Sequence, residues 1–373
     1  MNRETPSALL LFELIARRWT VPAPPRGVIF NPSHSRLAAP LANGSIALVD
    51  CADAEPPESR IATDRAGRRT IAPRRSTPRP AAIVPASGPG PAETVCGPDD
   101  GFLIAWRDAS LTRLDPTGAA APLQPPRPSP LVAVCRCGAT TLVVTEGEAT
   151  LWPDNGPPAR ASAPSGARVA ALSPDAATIA FGSADRIEFA SASAPGAIVR
   201  RHTAPSLVDR IVWRDDGAFV AAACGGAGLA LIDMRNDRFG MVGNFPFPPR
   251  SIAFSGPANA LVASGAYRIA AWDLDRAPFD GDRSGALETG RAGMVAVVEV
   301  AAHPKRRLVA AAYANGQIVL AEPGQRDEML LRASGAKPTA LAWSADGSML
   351  AIAAEDAVSV ASFPDALFKS TQG

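Results

Sequence analysis

Short apolar runs alternate with polar turns over nearly the whole chain, and the three-to-four-residue spacing of an amphipathic helix is almost absent after residue 20. The stretch from Pro338 to Phe363, PTALAWSADGSMLAIAAEDAVSVASF, holds three apolar runs separated by two polar turns. PRSIAFSGPANALVASGAYRIAAWDL from Pro249 and VDRIVWRDDGAFVAAACGGAGLALID from Val208 follow the same plan. Runs such as IAF, LVASG and IAAW, bounded by Gly, Pro, Asn or Asp, predict short strands. Asp346-Gly347, Asn315-Gly316 and Asn43-Gly44 predict tight hairpins, because these residues tolerate positive φ. Middle runs such as LVAAAYANG from Leu308 are heavy in small residues, which lets neighbouring sheets pack closely.

Eight such units can be laid out, starting at Gly27, Ala82, Leu131, Gly166, Val208, Pro249, Val297 and Pro338. Their first turns begin near residues 31, 87, 137, 173, 214, 255, 303 and 344. A period of about 40 to 45 residues with several strands per unit predicts propeller blades. The expected fold is therefore all-β: a single closed β-propeller of eight blades, with seven as the alternative because the Ala82 unit fits the pattern least well. Little chain follows Phe363 to give the last blade an outer strand. Residues 17–24, RRWTVPAP, precede the first inner strand and are expected to fill that place, closing the ring and removing an exposed edge. The expected organisation is an apolar N-terminal segment (1–16), the propeller (17–363) and a tail (364–373).

The repeats resemble the WD-repeat family. Ser173-Pro-Asp175 and Ser344-Ala-Asp-Gly347 are similar to that family's SPDG turn, VASGA at Val262–Ala266 to its small-residue strand, and Trp272-Asp273 to its closing dipeptide. The likeness covers residues 20 to 363 and is strongest from Gly166 onward. The family's Gly-His dipeptide is missing throughout, so the His-Asp-Ser-Trp hydrogen-bond network that the resemblance would imply is not expected. Apolar packing between blades has to hold the ring instead.

Two insertions interrupt the period. Residues 53–80 are rich in Pro and Arg and predict a solvated loop with an outer strand around Arg69–Ala72. Arg68, Arg69, Arg74 and Arg75 make it a candidate basic arm for an acidic partner. It lacks the interleaved aromatics that would stack on bases, so nucleic acid is disfavoured. Residues 275–293 predict a second surface loop, whose Asp280-Gly-Asp282 falls short of a calcium-binding run.

Composition adds little to this picture. The formal net charge of +1 gives no global bias toward nucleic acid or anionic lipid. The 34 Arg against 3 Lys reflects genome composition more than function. The five cysteines, 51, 96, 135, 137 and 224, form no CxxC and are expected to be free thiols, with Cys135 and Cys137 on one strand face. Reduced thiols favour the cytoplasm. The run from Ala8 to Ala16 is too short to span a membrane, is broken by Glu13 and leads into Arg17-Arg18, so it predicts neither a signal peptide nor an anchor. It suits an amphipathic helix that docks on the body or on a partner.

Candidate chemistry is sparse. His34, His202 and His303 are expected on separate blade turns rather than at one focus. Nucleotide-, serine- and zinc-hydrolase motifs are absent. The inner strands VIF, AAL, IVW, IAF and LAW present nothing polar enough for an axial metal. No metal site, cofactor or catalytic residue is expected. One recurrence remains: Arg26, Arg168, Arg210 and Arg250 stand just before the inner strands of four units. Such positions ring one mouth of a propeller channel and offer forked donors to carboxylates. The expected function is a non-catalytic scaffold that binds protein partners with acidic surfaces. The alternatives are a propeller enzyme with an axial metal or cofactor, and a nucleic-acid binder acting through the arginine-rich loop.

Overall fold

The computed structural model describes residues 11–63, 69–90, 92–194, 196–279 and 283–367. Within them each apolar run pairs antiparallel with the next, and eight sheets follow one another around a ring. From the innermost strand outward, blade 1 comprises Ile29–Phe30, Arg36–Pro40, Ile46–Asp50 and Ala82–Val84. Blade 2 runs Glu93–Cys96, Phe102–Ala105, Leu111–Leu114 and Ala120–Gln124. Blades 3, 4 and 5 begin at Leu131–Cys137, Val169–Leu172 and Arg210–Trp213, each with four strands. Blade 6 has three, Ile252–Ser255, Ala260–Ala263 and Ala270–Asp273. Its outer edge is covered by single bridges from Ile269 to Thr289 and from Trp272 to Ala286, both supplied by the second insertion. Blade 7 begins at Val297–Ala302 and blade 8 at Pro338–Trp343.

The ring closes through the N-terminal strand. Ala16–Thr20 pairs with Ala357–Ser362 as the outer strand of blade 8, in the register Ala16 to Ala361 through Thr20 to Ala357. Buried Arg17 reaches the other way. Its Nη1 donates to the Ala52 carbonyl at 2.6 Å and its Nη2 to the Cys51 carbonyl at 2.7 Å, both just beyond the third strand of blade 1. Ahead of it a short helix, Leu11–Ile15, lays Ile15, wholly buried, into the seam between blades 7 and 8.

Eight apolar clusters fill the eight seams, one between each pair of neighbouring blades. The seam between blades 3 and 4 is representative: Leu142, Val144 and Leu151 meet Leu172, Ile179 and Phe181. Second strands such as Phe219–Ala223 and Val309–Tyr313 are lined with alanine, which brings the sheets close enough for these contacts. Inner strands are further tied by side chains that cross a seam. Trp213 Nε1 donates to the Ala171 carbonyl at 3.3 Å and Trp343 Nε1 to the Ala301 carbonyl at 3.1 Å. The Ser-x-Asp turns are locked locally. Ser173 Oγ donates to Asp175 Oδ1 at 2.6 Å and accepts from the Thr178 amide at 2.8 Å, and Ser344, Asp346 and Met349 repeat the arrangement.

Several expectations need correction. Ala82–Val84 is not the inner strand of a second unit; it pairs with Ile46–Leu48 as the outer strand of blade 1. The inner strand of blade 2 is Glu93–Cys96, and its first turn lies at Gly97–Gly101 rather than near residue 87. The segment around Arg69 is no blade strand either: Arg69–Ile71 pairs with Ile61–Thr63 in a separate hairpin. His202 sits inside the outer strand of blade 4, Ile198–Thr203, not on a turn. Asp280 to Asp282 and Arg68 lie outside the described residues. The count of eight survives the first correction because the misassigned strand was counted in place of a real one.

Candidate functional site

Every sheet starts at the hub and is antiparallel throughout, so all eight innermost strands begin on one face of the ring, here called the entry face. Arg26, Arg168 and Arg250 lie in the segments feeding the inner strands of blades 1, 4 and 6, and Arg210 is the first residue of the inner strand of blade 5. The structure thus brings all four to the entry face, and all four are exposed. Among the described residues none of them is held in an ion pair. A guanidinium outside any ion pair keeps its five donors free to meet an anionic group.

The second basic set is placed elsewhere. The 53–80 insertion connects the third and outer strands of blade 1 and therefore emerges on the opposite face. Arg74 is not available there. Its Nη1 and Nη2 donate to Asp53 Oδ1 and Oδ2, both at 2.6 Å, in a largely buried forked pair. Asp53 is held below the usual carboxylate range; its own burial opposes this, and the Arg74 hydrogen bonds, the Glu55 amide and the Arg17 charge outweigh it. Arg75 is exposed, with its amide bonded to Glu55 Oε2 at 2.9 Å, and Arg69 contributes its backbone to the hairpin. Arg60 ties the insertion down by donating to the Leu14 carbonyl at 2.7 Å, and Ile71 packs against the same seam as Ile15. Much of the arm is thus a brace for the N-terminal helix.

Two carboxylates that the inner-strand reading missed stand near the hub. Glu299 lies on the inner strand of blade 7, half-buried, and Glu93 on that of blade 2. Burial pushes the Glu299 carboxyl up to about 7, against the opposing influence of Ser251 on blade 6, Arg210 on blade 5 and Lys337 at the approach to blade 8. Burial likewise raises Glu93, with the Val134 amide and Arg26 opposing it. Part of Glu93 touches solvent, but protein crowds the carboxyl on the remaining sides, and the crowding decides the direction of the shift. Glu299 was legible as the one acid in VVEVAA; Glu93 was hidden by the misplaced strand.

The raised Glu299 makes a stability prediction. An acid whose folded value exceeds its unfolded one costs no stability while both states are protonated. It becomes progressively unfavourable as pH rises from about 4.5 to about 7, because the unfolded chain ionises first. Glu299→Gln is therefore expected to match the wild type in acid and to exceed it in denaturant midpoint above neutrality. A difference independent of pH would show that burial does not govern this group.

The three histidines lie on three different blades, 1, 4 and 7. His303 Nδ1 accepts from the Lys305 and Arg306 amides, both at 3.0 Å, which leaves Nε2 to donate to the Gly347 carbonyl at 3.1 Å. Burial lowers its pKa; the Gly347 bond opposes this, the charges of Arg306 and Lys305 assist it, and Asp346 opposes it weakly. His202 stacks on Phe239 with ring centroids 5.0 Å apart, and His34 Nε2 accepts from the Ala345 amide at 3.1 Å across the closing seam. All five cysteines are free; burial pushes the Cys51 and Cys135 thiols up to about 12. Cys137 Sγ donates to the Pro174 carbonyl at 2.8 Å, bridging blades 3 and 4. Among the described residues no three His, Cys, Asp or Glu side chains cluster to hold a metal ion, and no helix is long and apolar enough to cross a membrane.

Fold and hub together define a WD-repeat-like β-propeller of eight blades. Solved structures agree. The C-terminal WD40 domain of Sif2 superposes with a TM-score of 0.61 at 14% identity, over 94% of this chain and 99% of its own. A chain of the Mitotic Checkpoint Complex crystal structure does so with a TM-score of 0.55 at 15% identity, over 71% of this chain and 87% of its own. At these identities the likeness is one of fold. By sequence, the chain matches no family model and no curated protein.

Proposed function

We propose that the protein is a non-catalytic interaction scaffold, a subunit or adaptor that captures protein partners with acidic surfaces on its entry face. The observation that carries this reading is the set of four exposed arginines at the starts of inner strands, none of them in an ion pair among the described residues. Stacked sheets supply stiffness and the loops supply specificity. Two resemblances of fold to propellers, one of them in a crystallised complex, support a role in assembly. Five free thiols support a reducing, cytoplasmic setting.

The test is comparative affinity capture from native cells with the wild-type chain and with Arg26→Ala/Arg168→Ala. These substitutions touch exposed side chains, so the fold should persist, as a melting curve will verify. Co-purifying proteins are expected to be depleted by the double variant, and to be displaced from the wild type by rising salt. An identical set of captured proteins at identical yield would reject the arginine face as the binding surface.

A further inference from the structure

On the entry face an open trough of about 730 Å³ runs between blades 6 and 7 toward the approach to blade 8. Its wall carries three large apolar side chains turned to solvent: Phe247 at 43% exposure, Tyr267 at 42% and Met294 at 93%. Phe247 and Tyr267 stand edge to face with ring centroids 5.6 Å apart. Two touching, water-facing aromatics with an exposed methionine in the lining of the same trough mark a contact surface, since single exposed apolar residues are ordinary but a grouped set is not. Two cations, Arg250 and Lys337, line the same trough, and neither is held in an ion pair among the described residues.

The wall is preorganised by the backbone. The Phe247 amide donates to the Gly265 carbonyl at 3.0 Å, the Gly265 amide to the Val297 carbonyl at 3.0 Å, and the Val297 amide to the Ala266 carbonyl at 2.9 Å. Three loops from blades 6 and 7 are thereby cross-braced. Gly265 is required at this crossing. Its φ of +92° is left-handed, and a Cβ there would lie 2.6 Å from the Phe247 carbonyl oxygen. A surface held this way loses little entropy when a ligand settles on it.

We propose that this trough is the docking site for a linear protein segment in which apolar side chains alternate with carboxylates. The proposal rests on the scaffold reading and deepens it by naming the chemistry of the partner. An extended segment places alternate side chains on opposite sides. One set can lie on Phe247, Tyr267 and Met294 while the other reaches Arg250 and Lys337. Charge complementarity selects the acidic form of such a segment. A nucleic acid suits the trough less well, because an apolar wall with two cations and a glutamate, Glu299, in its lining cannot track a phosphate backbone.

Fluorescein-labelled synthetic peptides of alternating Leu and Glu, with Leu–Gln and Leu–Lys counterparts, provide the test by anisotropy titration of the full chain. The Leu–Glu peptide is expected to bind and the Leu–Lys peptide to fail. Phe247→Ser/Tyr267→Ser/Met294→Ser should weaken binding about tenfold or more, as loss of central apolar anchors does. Arg250→Glu/Lys337→Glu should reverse the preference in favour of Leu–Lys. Unaltered affinity in the triple variant, no binding of Leu–Glu to the wild type, or a single-stranded oligonucleotide that binds and is lost in the triple variant would each overturn the proposal. Arg168→Ala, at the approach to blade 4 and away from the trough's lining, should leave peptide affinity untouched. Loss of cellular partners in the Arg26→Ala/Arg168→Ala variant without any peptide binding would therefore sink the trough and spare the scaffold; the converse result would do the opposite.

Discussion

A chain lacking residues 1–20 is expected to lose its cooperative thermal transition. Deletion removes the strand Ala16–Thr20 from blade 8 and leaves Ala357–Ser362 as an unpaired edge, an invitation to aggregation. It also removes a buried side chain from each of two seams. Trp19, 5% exposed, belongs to the cluster joining blade 8 to blade 1, and Ile15 to the cluster joining blade 7 to blade 8. Arg17 contributes a third element, because its two carbonyl contacts at Cys51 and Ala52 carry the clasp from the last blade onto the first. Its guanidinium is held below its ordinary value by burial, with Asp53 the leading influence the other way, so these bonds form in a dry setting. Closure is thus made in two directions by one short segment. Circular dichroism melting and light scattering of the truncated chain will check this, and a synthetic peptide spanning residues 11–24 should restore the transition when added in excess. A truncated chain that melts cooperatively at the wild-type temperature would show that the ring does not depend on this strand.

Phe189→Ala should cost about 3–5 kcal/mol of stability, the range for deleting a buried aromatic ring. Phe189 is wholly buried in the seam between blades 4 and 5. Its ring meets Trp213 edge to face at 5.9 Å and His202 at 6.2 Å, and His202 in turn stacks on Phe239. Burial lowers the His202 value, with Asp237 opposing and Arg200 assisting, and its ring completes the aromatic chain. Truncation leaves a cavity among rigid sheets that cannot collapse to fill it. Equilibrium urea unfolding should show a lower midpoint at unchanged slope. Phe189→Leu should lose markedly less, because most of the volume stays filled. A Phe189→Ala midpoint indistinguishable from wild type would mean that the seam repacks, contrary to the interlocked geometry seen here.

The four arginines Arg26, Arg168, Arg210 and Arg250 could be read as one set from sequence because each stands at or just before the start of an inner strand, and strand starts share a face in any ring of this kind. Arg74 could not be read the same way. In the sequence it is one of a cluster of basic residues; only the fold of the insertion reveals that Asp53 clamps it. The strand Ala82–Val84 was misassigned for a related reason. An insertion separates it from its partner Ile46–Leu48, so proximity along the chain pointed to the following blade instead. That error also concealed Glu93. The trough was illegible altogether, since Phe247, Tyr267, Met294 and Lys337 come from separate loops and share no local pattern.

What the amino-acid order determined unaided was what short-range chemistry carries: strands from apolar alternation, turns from Gly, Asn and Asp, propeller blades from the period, a count of eight or seven from the number of units, and closure from the shortfall of one strand at the end. Tertiary structure alone decided which strand joined which blade across an insertion, which cations stayed free, and which side chains met on the entry face. The division follows from distance. Propensity and periodicity act over a few neighbouring residues, whereas pairing between remote segments is chosen by packing and charge after the chain has closed on itself.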